Sequence, residues 1–543
     1  MVRLPIFRVR PLDVDEHRLD EIGRSVLNTD DYRAVRTNDR VRFVGRAGDQ
    51  LEVNRRSGAL WVAREPLWSD LGRGGVPNGD AAATIAREFA GRTSVLPTFR
   101  SGDEFELRDL GPAATVAAIV EPSSAGRRTV TVDQHQRYQV FARVPNPDGN
   151  GLASVPVIGG GGKFGVTVGS AGRVAGCHGL WRPLDGVERA VTMIPAEEVV
   201  ERYRRSLGGL DLVNVRASLA YYAAPARREQ SFLAPVYVIQ ASARFGGRVI
   251  PLRSVTLAAT EFGPFIPRRA PEPRRSARVL PRSGAIEDEM GPVARRSLLT
   301  ARLNPFECGT SWIGESGGLA GSKNNAKGFV DGLKDDGWNV NFNWGDANAW
   351  ESDWRRNDDT WVDAADFVFY TGHADGNGWV LSKPDDGSLS YTEVGSAPAT
   401  PGDLWGQQDL EWVVVAACGP FEDDLISEGG GDALKRWKGA FDGLHLMMGY
   451  GSVTFDNEDE GATLVEYARD GETIVSSWFR AAKEIQPSTN GYAPPFGNTI
   501  YATAMTAWKS GKTSPWNDHL WGHGSVASDP SSPNSFMVVW TPT

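Results

Sequence analysis

The chain has 543 residues, 41% hydrophobic and 23% charged, a balance that excludes a wholly disordered or collagen-like protein. No stretch approaches 18 consecutive apolar residues, so no transmembrane helix is expected. Residues 1–10 lack the apolar core of a signal peptide, which leaves the compartment, secreted or cytoplasmic, open. Three cysteines, Cys177, Cys308 and Cys418, are too few for a disulfide framework. The net charge of −10 conceals two unlike halves: residues 1–300 carry 43 basic and 33 acidic side chains, residues 301–543 carry 15 and 35. Their opposite charges predict separate domains, with the basic N-terminal region docked on the acidic C-terminal one.

Residues 51–64 (LEVNRRSGALWVAR) alternate apolar and polar around Ser57-Gly58, which predicts a hairpin. Residues 80–89 predict a short helix capped by Asp80. The theme recurs: a hairpin over 163–174 turns at Gly169-Ser170, and a helix over 195–207 opens with Pro and carries Glu in its first turn. Strands follow over 213–223 and 232–243. A strand–Gly–strand hairpin beside an amphipathic helix, occurring twice, resembles the PepSY-type modules in propeptides of secreted peptidases. The expected organisation is an α+β module over 1–120, a second over 121–262, and a Pro/Arg-rich linker over 263–302. That linker holds Arg268-Arg269, Arg274-Arg275 and Arg295-Arg296 in an extended, protease-accessible setting.

Residues 303–543 alternate in type. Helices are expected over 320–335, 461–467 and 472–485. Short, continuously apolar strands are expected over 338–342, 365–370, 410–417 and 444–449. This is the pattern of an α/β domain with a mostly parallel sheet and helices on both faces, in which function gathers at the carboxyl ends of the strands.

Two of those strands end on reactive residues. One runs ADFVFY-Thr371-Gly372-His373, and the other runs WVVVAA-Cys418. Adjacent parallel strands would bring an imidazole to a thiol, and the thiolate is the nucleophile. Small flanking residues leave room for a substrate backbone and free amides for an oxyanion. The strand–His and strand–Ala-Cys motifs resemble the caspase-like, gingipain-like (clan CD) cysteine peptidases, with Ala374 where that family usually has Gly. Residues 343–351, 410–412 and 443–445 resemble, more narrowly, an uncharacterised bacterial domain family with that core. The resemblance implies a His373–Cys418 dyad, oxyanion donation by the amides of Ala374 and Cys418, and a hydrolase, protease or transpeptidase acting on peptide or protein substrates. Asp363, Asp366 and Asp375 are candidates to orient the imidazole.

Other patterns carry less. Cys177 and His178 are adjacent, and neighbours in a strand face opposite ways. His519 and His523 have helical metal spacing, but Gly522 and Gly524 argue against a helix. No metal is expected, although the runs 422–424 and 456–460 could supply carboxylates to calcium. Dispersed arginines and the absence of a phosphate-binding loop argue against nucleic acid. Two alternatives stand beside the peptidase: a catalytically silent caspase-like binding module, and a carbohydrate-active enzyme using the Trp-rich acidic domain.

Overall fold

The computed structural model describes residues 3–10, 16–27, 32–37, 39–45, 49–64, 75–93, 105–123, 128–145, 155–180, 182–207, 210–245, 247–261, 306–382, 386–395, 403–491 and 499–543. The linker expected over 263–302 lies outside them. In chain order the first half gives strand β1 (Arg3–Val9), helix α1 (Glu16–Leu27), and strands β2 (Tyr32–Arg36), β3 (Arg40–Gly45), β4 (Gln50–Asn54) and β5 (Leu60–Ala63). Helix α2 (Gly79–Thr93) and the long hairpin β6 (Phe105–Pro122) and β7 (Arg128–Pro145) follow. Then come β8 (Val157–Ile158), β9 (Lys163–Val168), β10 (Val174–Gly179), β11 (Leu184–Thr192), α3 (Ala196–Ser206), β12 (Leu212–Tyr222), β13 (Phe232–Phe245), β14 (Arg248–Pro251) and β15 (Val255–Ala258).

The hairpins and helices expected from local pattern are present, but they are not arranged as two consecutive modules. The division expected at 120/121 falls inside β6, which pairs with β7 across it. Strand β1 leaves the first expected unit to pair with β11 and β13. Strands β9 and β10 leave the second to pair with β7 and β5. Turn chemistry is local and legible, whereas pairing between strands far apart depends on packing that no window of sequence contains.

The second half supplies β16 (Glu307–Trp312), α4 (Ser322–Asp335), β17 (Asn339–Gly345), β18 (Phe367–Thr371), the small sheet β19 (Ala374–Asp375), β20 (Gly378–Val380) and β21 (Ser388–Ser390), then β22 (Trp412–Ala416). It continues with the short α5 (Ala433–Trp437), β23 (Leu446–Tyr450), α6 (Glu460–Arg469), α7 (Ile474–Ile485), β24 (Tyr501–Trp508) and β25 (Ser535–Pro542). The chain is thus of mixed α/β class with large sheets. Strands run in the order β17-β16-β18-β22-β23-β24-β25, parallel through β23 and antiparallel beyond. Strand β25 pairs with β6, so the sheet continues into the first half of the chain.

The period of two in β18 and β22 builds both layers of the core. Phe367, Phe369, Trp412 and Val414 face one layer with α4, α6 and α7. Val368, Tyr370, Val413 and Val415 face the other. That second face is covered mainly by loops, short turns and α5 rather than by long helices. Trp354, Trp379, Trp405 and Trp437 fill it, with ring centroids 5.1–6.5 Å apart. These tryptophans are fully buried and offer no face to a sugar.

Basic side chains of the first half meet acidic ones of the second. Arg228 reaches Asp459 and Glu458, each at 2.7 Å. Arg40 and Arg42 lie 3.2 and 3.1 Å from Asp470, while one pair runs the other way, Glu52 of the first half accepting from Arg480 of the second at 2.8 Å. The deepest of these pairs, Arg253 with Glu460, has neither side chain exposed to solvent.

Candidate functional site

Strand β18 runs beside β22 with Thr371 opposite Ala416. Two residues further along each chain stand His373 and Cys418, both fully buried. The equal offset from an in-register pair brings both residues to the carboxyl edge of the parallel sheet. Gly372 between strand and histidine is required by packing: a Cβ there would lie 2.2 Å from the Tyr370 hydroxyl. Gly419 turns the chain after the cysteine with φ of +64°, a conformation that favours glycine.

The imidazole is satisfied at both nitrogens. Nε2 donates to the Gly317 carbonyl at 2.8 Å. Nδ1 accepts from the backbone N–H of Arg253 at 3.2 Å. Burial lowers the ring's pKa; the Gly317 carbonyl opposes this and the charge of Arg253 adds to it, leaving a value of about 4. The Cys418 sulfur accepts from the Thr454 N–H at 3.4 Å and lies 3.8 Å from its hydroxyl. Burial raises the thiol's pKa to about 11, with the Thr454 amide and Arg253 working against the rise. In this arrangement both groups are uncharged at neutral pH.

One residue of the first half bonds to His373 and lies within electrostatic reach of Cys418. Arg253 lies between β14 and β15, and its guanidinium reaches under the sheet edge. Nη1 donates to the Thr371 hydroxyl at 3.0 Å and to the Ala416 carbonyl at 2.8 Å. Nη2 donates to the Phe455 carbonyl at 2.6 Å and to Glu460 at 3.2 and 3.4 Å. Ser254 continues the docking: its N–H donates to Thr454 O, and its carbonyl accepts from the Asp456 N–H. Glu460 begins α6, where the N-terminal end of a helix favours an anion. Its carboxylate also accepts from Tyr450 Oη (2.6 Å), Gln486 Nε2 (2.7 Å) and Asn325 Nδ2 (3.0 Å).

The amides of Ala374 and Cys418 lie next to these side chains. The Val380 N–H donates to the His373 carbonyl at 2.9 Å. Alternation along β19 therefore leaves the Ala374 N–H outside the ladder with β20.

The three expected orienting acids do not reach the ring. Asp363 accepts from the amides of Gly406 and Gln408 and tethers a loop. Asp366 accepts from the Glu307 N–H at 2.6 Å at the amino end of β18, a whole strand away from His373. Asp375 faces Arg248 at 3.4 Å and caps Asn377. Backbone groups of Gly317 and Arg253 orient the imidazole instead.

The carboxylate runs considered for calcium are engaged with protein groups. Asp459, Glu458 and Glu460 pair with Arg228 and Arg253, and Asp423 accepts from the amides of Leu425 and Ala433. Among the described residues, Glu307, Asp366 and Asp409 bring carboxylate oxygens within 4.8 Å of one another, the one grouping with the spacing to hold a cation. His519 and His523 diverge, the first toward Ser525 O and the second to Asp336 at 2.9 Å. His178 is held by Tyr138 Oη at 2.9 Å in the interior, and burial raises the Cys177 thiol far out of the reactive range.

Sequence reasoning missed Arg253 and read Glu460 only as part of a carboxylate run suited to calcium. Arg253 sits in an unremarkable PLRSV stretch, and Glu460 is one of five polar residues in a row. The signal that could have found Glu460 was its position at the start of an apolar helical repeat. Residues 307–542 match the model of a family described as a domain of unknown function, DUF6345. No curated protein matches the chain.

Proposed function

We propose that the protein is a latent cysteine hydrolase of peptide bonds, with Cys418 as nucleophile and His373 as proton carrier on a caspase-like core, kept inactive by its own N-terminal region. The observation that supports this most is that His373 and Cys418 stand at equal offsets beyond in-register neighbouring parallel strands, under a single residue of the first half.

The chemistry follows from the two groups. His373 takes the thiol proton as Sγ attacks the carbonyl carbon, and the oxyanion forms beside the amides of Ala374 and Cys418. The C–N bond then breaks as the imidazolium returns its proton to the departing amine, leaving a thioester. Water cleaves that thioester in hydrolysis, and an amine does so in transpeptidation. In the covered state the thiol holds its proton and the ring has no free nitrogen. Loss of the Arg253 side chain removes the segment's anchors on Thr371, Ala416, Phe455 and Glu460; departure of the segment with its backbone amide then frees Nδ1 and admits water, which relieves the burial that raises the thiol's pKa.

The satisfied ring and neutral thiol also favour a second reading, a silent module in which the same contacts are permanent. Turnover of mixed-sequence fluorogenic peptides by the full-length Arg253→Ala protein separates the two. The latent enzyme gains hydrolysis that disappears in Arg253→Ala/Cys418→Ala. Absence of any Cys418-dependent turnover in the folded variant contradicts the hydrolase reading.

A further inference from the structure

At the amino edge of the parallel sheet, far from His373 and Cys418, the strand register lines up a row of carboxylates. Cys308 pairs with Phe367 and Phe367 with Trp412, so Glu307, Asp366 and Glu411 stand abreast one residue earlier in each segment. Neighbouring strands lie about 4.8 Å apart, so such a row is crowded by construction. Asp409 joins it from the turn before β22, where its N–H donates to the Asp363 carbonyl at 2.9 Å. Oxygens of Glu307, Asp366 and Asp409 lie within 4.8 Å of one another. Glu411 is 5% exposed, and its Oε2 is sealed from solvent without a hydrogen-bond partner.

We propose that this row is a calcium site, with Glu307, Asp366 and Asp409 as its protein ligands and the orphaned Glu411 oxygen beside them. Nothing in the chain balances the row. Among the described residues, no lysine or arginine pairs with any of the four carboxylates, and His445, next abreast of Glu411, is engaged by Asp518 and Asp529 at its two nitrogens. Burial disfavours the ionised form of all four acids, and neighbouring carboxylates add to it: Asp409 for Glu307 and Asp366, Asp366 and Asp409 for Glu411, Asp529 for Asp409. The Trp521 indole opposes this at Glu411 only weakly. Buried charge that no protein cation compensates is strongly destabilising, and a bound cation removes the penalty.

The donor set selects the ion. All the donors are carboxylate oxygens, which suit a hard cation rather than zinc or copper. They come from three separate segments in an irregular arrangement, which calcium accepts more readily than magnesium with its strict octahedron. Asp366 is buried, Glu307 half-buried and Asp409 exposed, so one side of the site is open to the waters that complete a calcium shell. An ion held there ties the amino ends of β16 and β18 to the turn that leads into β22. It lies a whole strand from the reactive pair, so its effect falls on stability, and the inference does not rest on the hydrolase reading.

The test uses the full-length protein freed of metal with EDTA, titrated with CaCl2 or MgCl2 at neutral pH. Calorimetric titration is expected to show calcium binding with Kd below about 1 mM, and magnesium binding about tenfold weaker or more. Saturating calcium is expected to raise the thermal midpoint by about 3 °C or more. Asp409→Asn and Asp409→Asn/Glu307→Gln change only side chains that reach solvent and keep an oxygen in place. Each is expected to raise the midpoint of the metal-free protein, because crowded charge is gone, and to weaken calcium binding about tenfold or more. A residue that merely packs would not move these two readouts in opposite directions. Calcium bound as tightly by both variants as by wild type sits elsewhere and overturns the assignment. No calcium binding by folded wild type means that protons alone balance the row, and overturns it as well.

Discussion

His373 and His445 are both fully buried and flank strands of the same parallel sheet at opposite edges. His373 follows β18 at the carboxyl edge, beside the Gly317 carbonyl, the Arg253 amide and cation and the Phe245 ring. Burial, partly opposed by Gly317 and reinforced by Arg253, holds it at about 4. His445 precedes β23 at the amino edge, with Asp518 at 2.6 Å and Asp529 at 3.3 Å. Burial lowers it too, but the two carboxylates prevail and raise it to about 9. The same side chain at the same depth is thus neutral at one edge and a fixed cation at the other. The amino edge uses its histidine in a permanent ion pair. The carboxyl edge keeps an uncharged imidazole and thiol under an arginine from another part of the chain, an arrangement suited to release.

The largest effect that sharpens this contrast concerns chemistry. In the Arg253→Ala background, adding Cys418→Ala or His373→Ala is expected to reduce peptide turnover on the order of a thousandfold or more. His445→Ala is expected to lower stability but not the rate per folded molecule. Turnover that survives loss of Cys418 breaks the contrast.

Next come two stability effects of similar size. Arg253→Ala leaves the buried Glu460 carboxylate without its cation, which costs about 3–5 kcal/mol in chemical denaturation. Adding Glu460→Gln is expected to recover part of that loss. The His445 effect depends on pH. Its folded pKa lies above the ordinary value, so its stabilisation is complete below about pH 6.5 and is lost as pH rises through about 9. The change is about 3 kcal/mol. Urea midpoints at pH 6 and pH 9.5 measure it, and the difference is expected to vanish in His445→Gln. A loss of stability on acidification through the same window would give the opposite sign and contradict the ion pair.

The smallest expected effect is a near-absence. Asp366→Asn retains an acceptor for the Glu307 amide at the amino end of β18. It is expected to leave turnover of the Arg253→Ala protein within about threefold, because distant groups act independently. A large loss would mean that Asp366 orients His373 after all.

The strands carrying His373 and Cys418 were legible because each is an unbroken apolar run ending on a small residue and a reactive one. The parallel sheet follows from that pattern, and β18 and β22 pair as neighbours. The orienting acids were misplaced because closeness along the chain stood in for closeness in space: a strand of five residues separates Asp366 from the ring that it was expected to serve. Arg253 was illegible for the converse reason. It lies 120 residues before His373, and nothing in PLRSV marks a side chain that will be fully buried against Glu460. The charge imbalance between the halves anticipated the sign of that contact, though not its address. Likewise β9 read correctly as a strand, but β1 was not expected and β10 begins where the expected hairpin ends; the exchange of these strands between the two expected modules depended on pairings that only the assembled sheet defines.

The central claim is that the segment carrying Arg253 buries Cys418, that this burial keeps the thiol protonated, and that Cys418 becomes a nucleophile once uncovered. The most direct measurement is the alkylation rate of Cys418 by iodoacetamide against pH, mapped by peptide mass, in full-length wild type and Arg253→Ala. The account predicts that wild-type Cys418 reacts negligibly at pH 7.5, consistent with a thiol at about 11. Arg253→Ala is expected to react about a hundredfold faster or more, with an inflection brought down toward the ordinary thiol value of about 8.5 as burial is relieved. Equal rates in the two proteins, or a wild-type thiol already reactive at neutral pH, would contradict it.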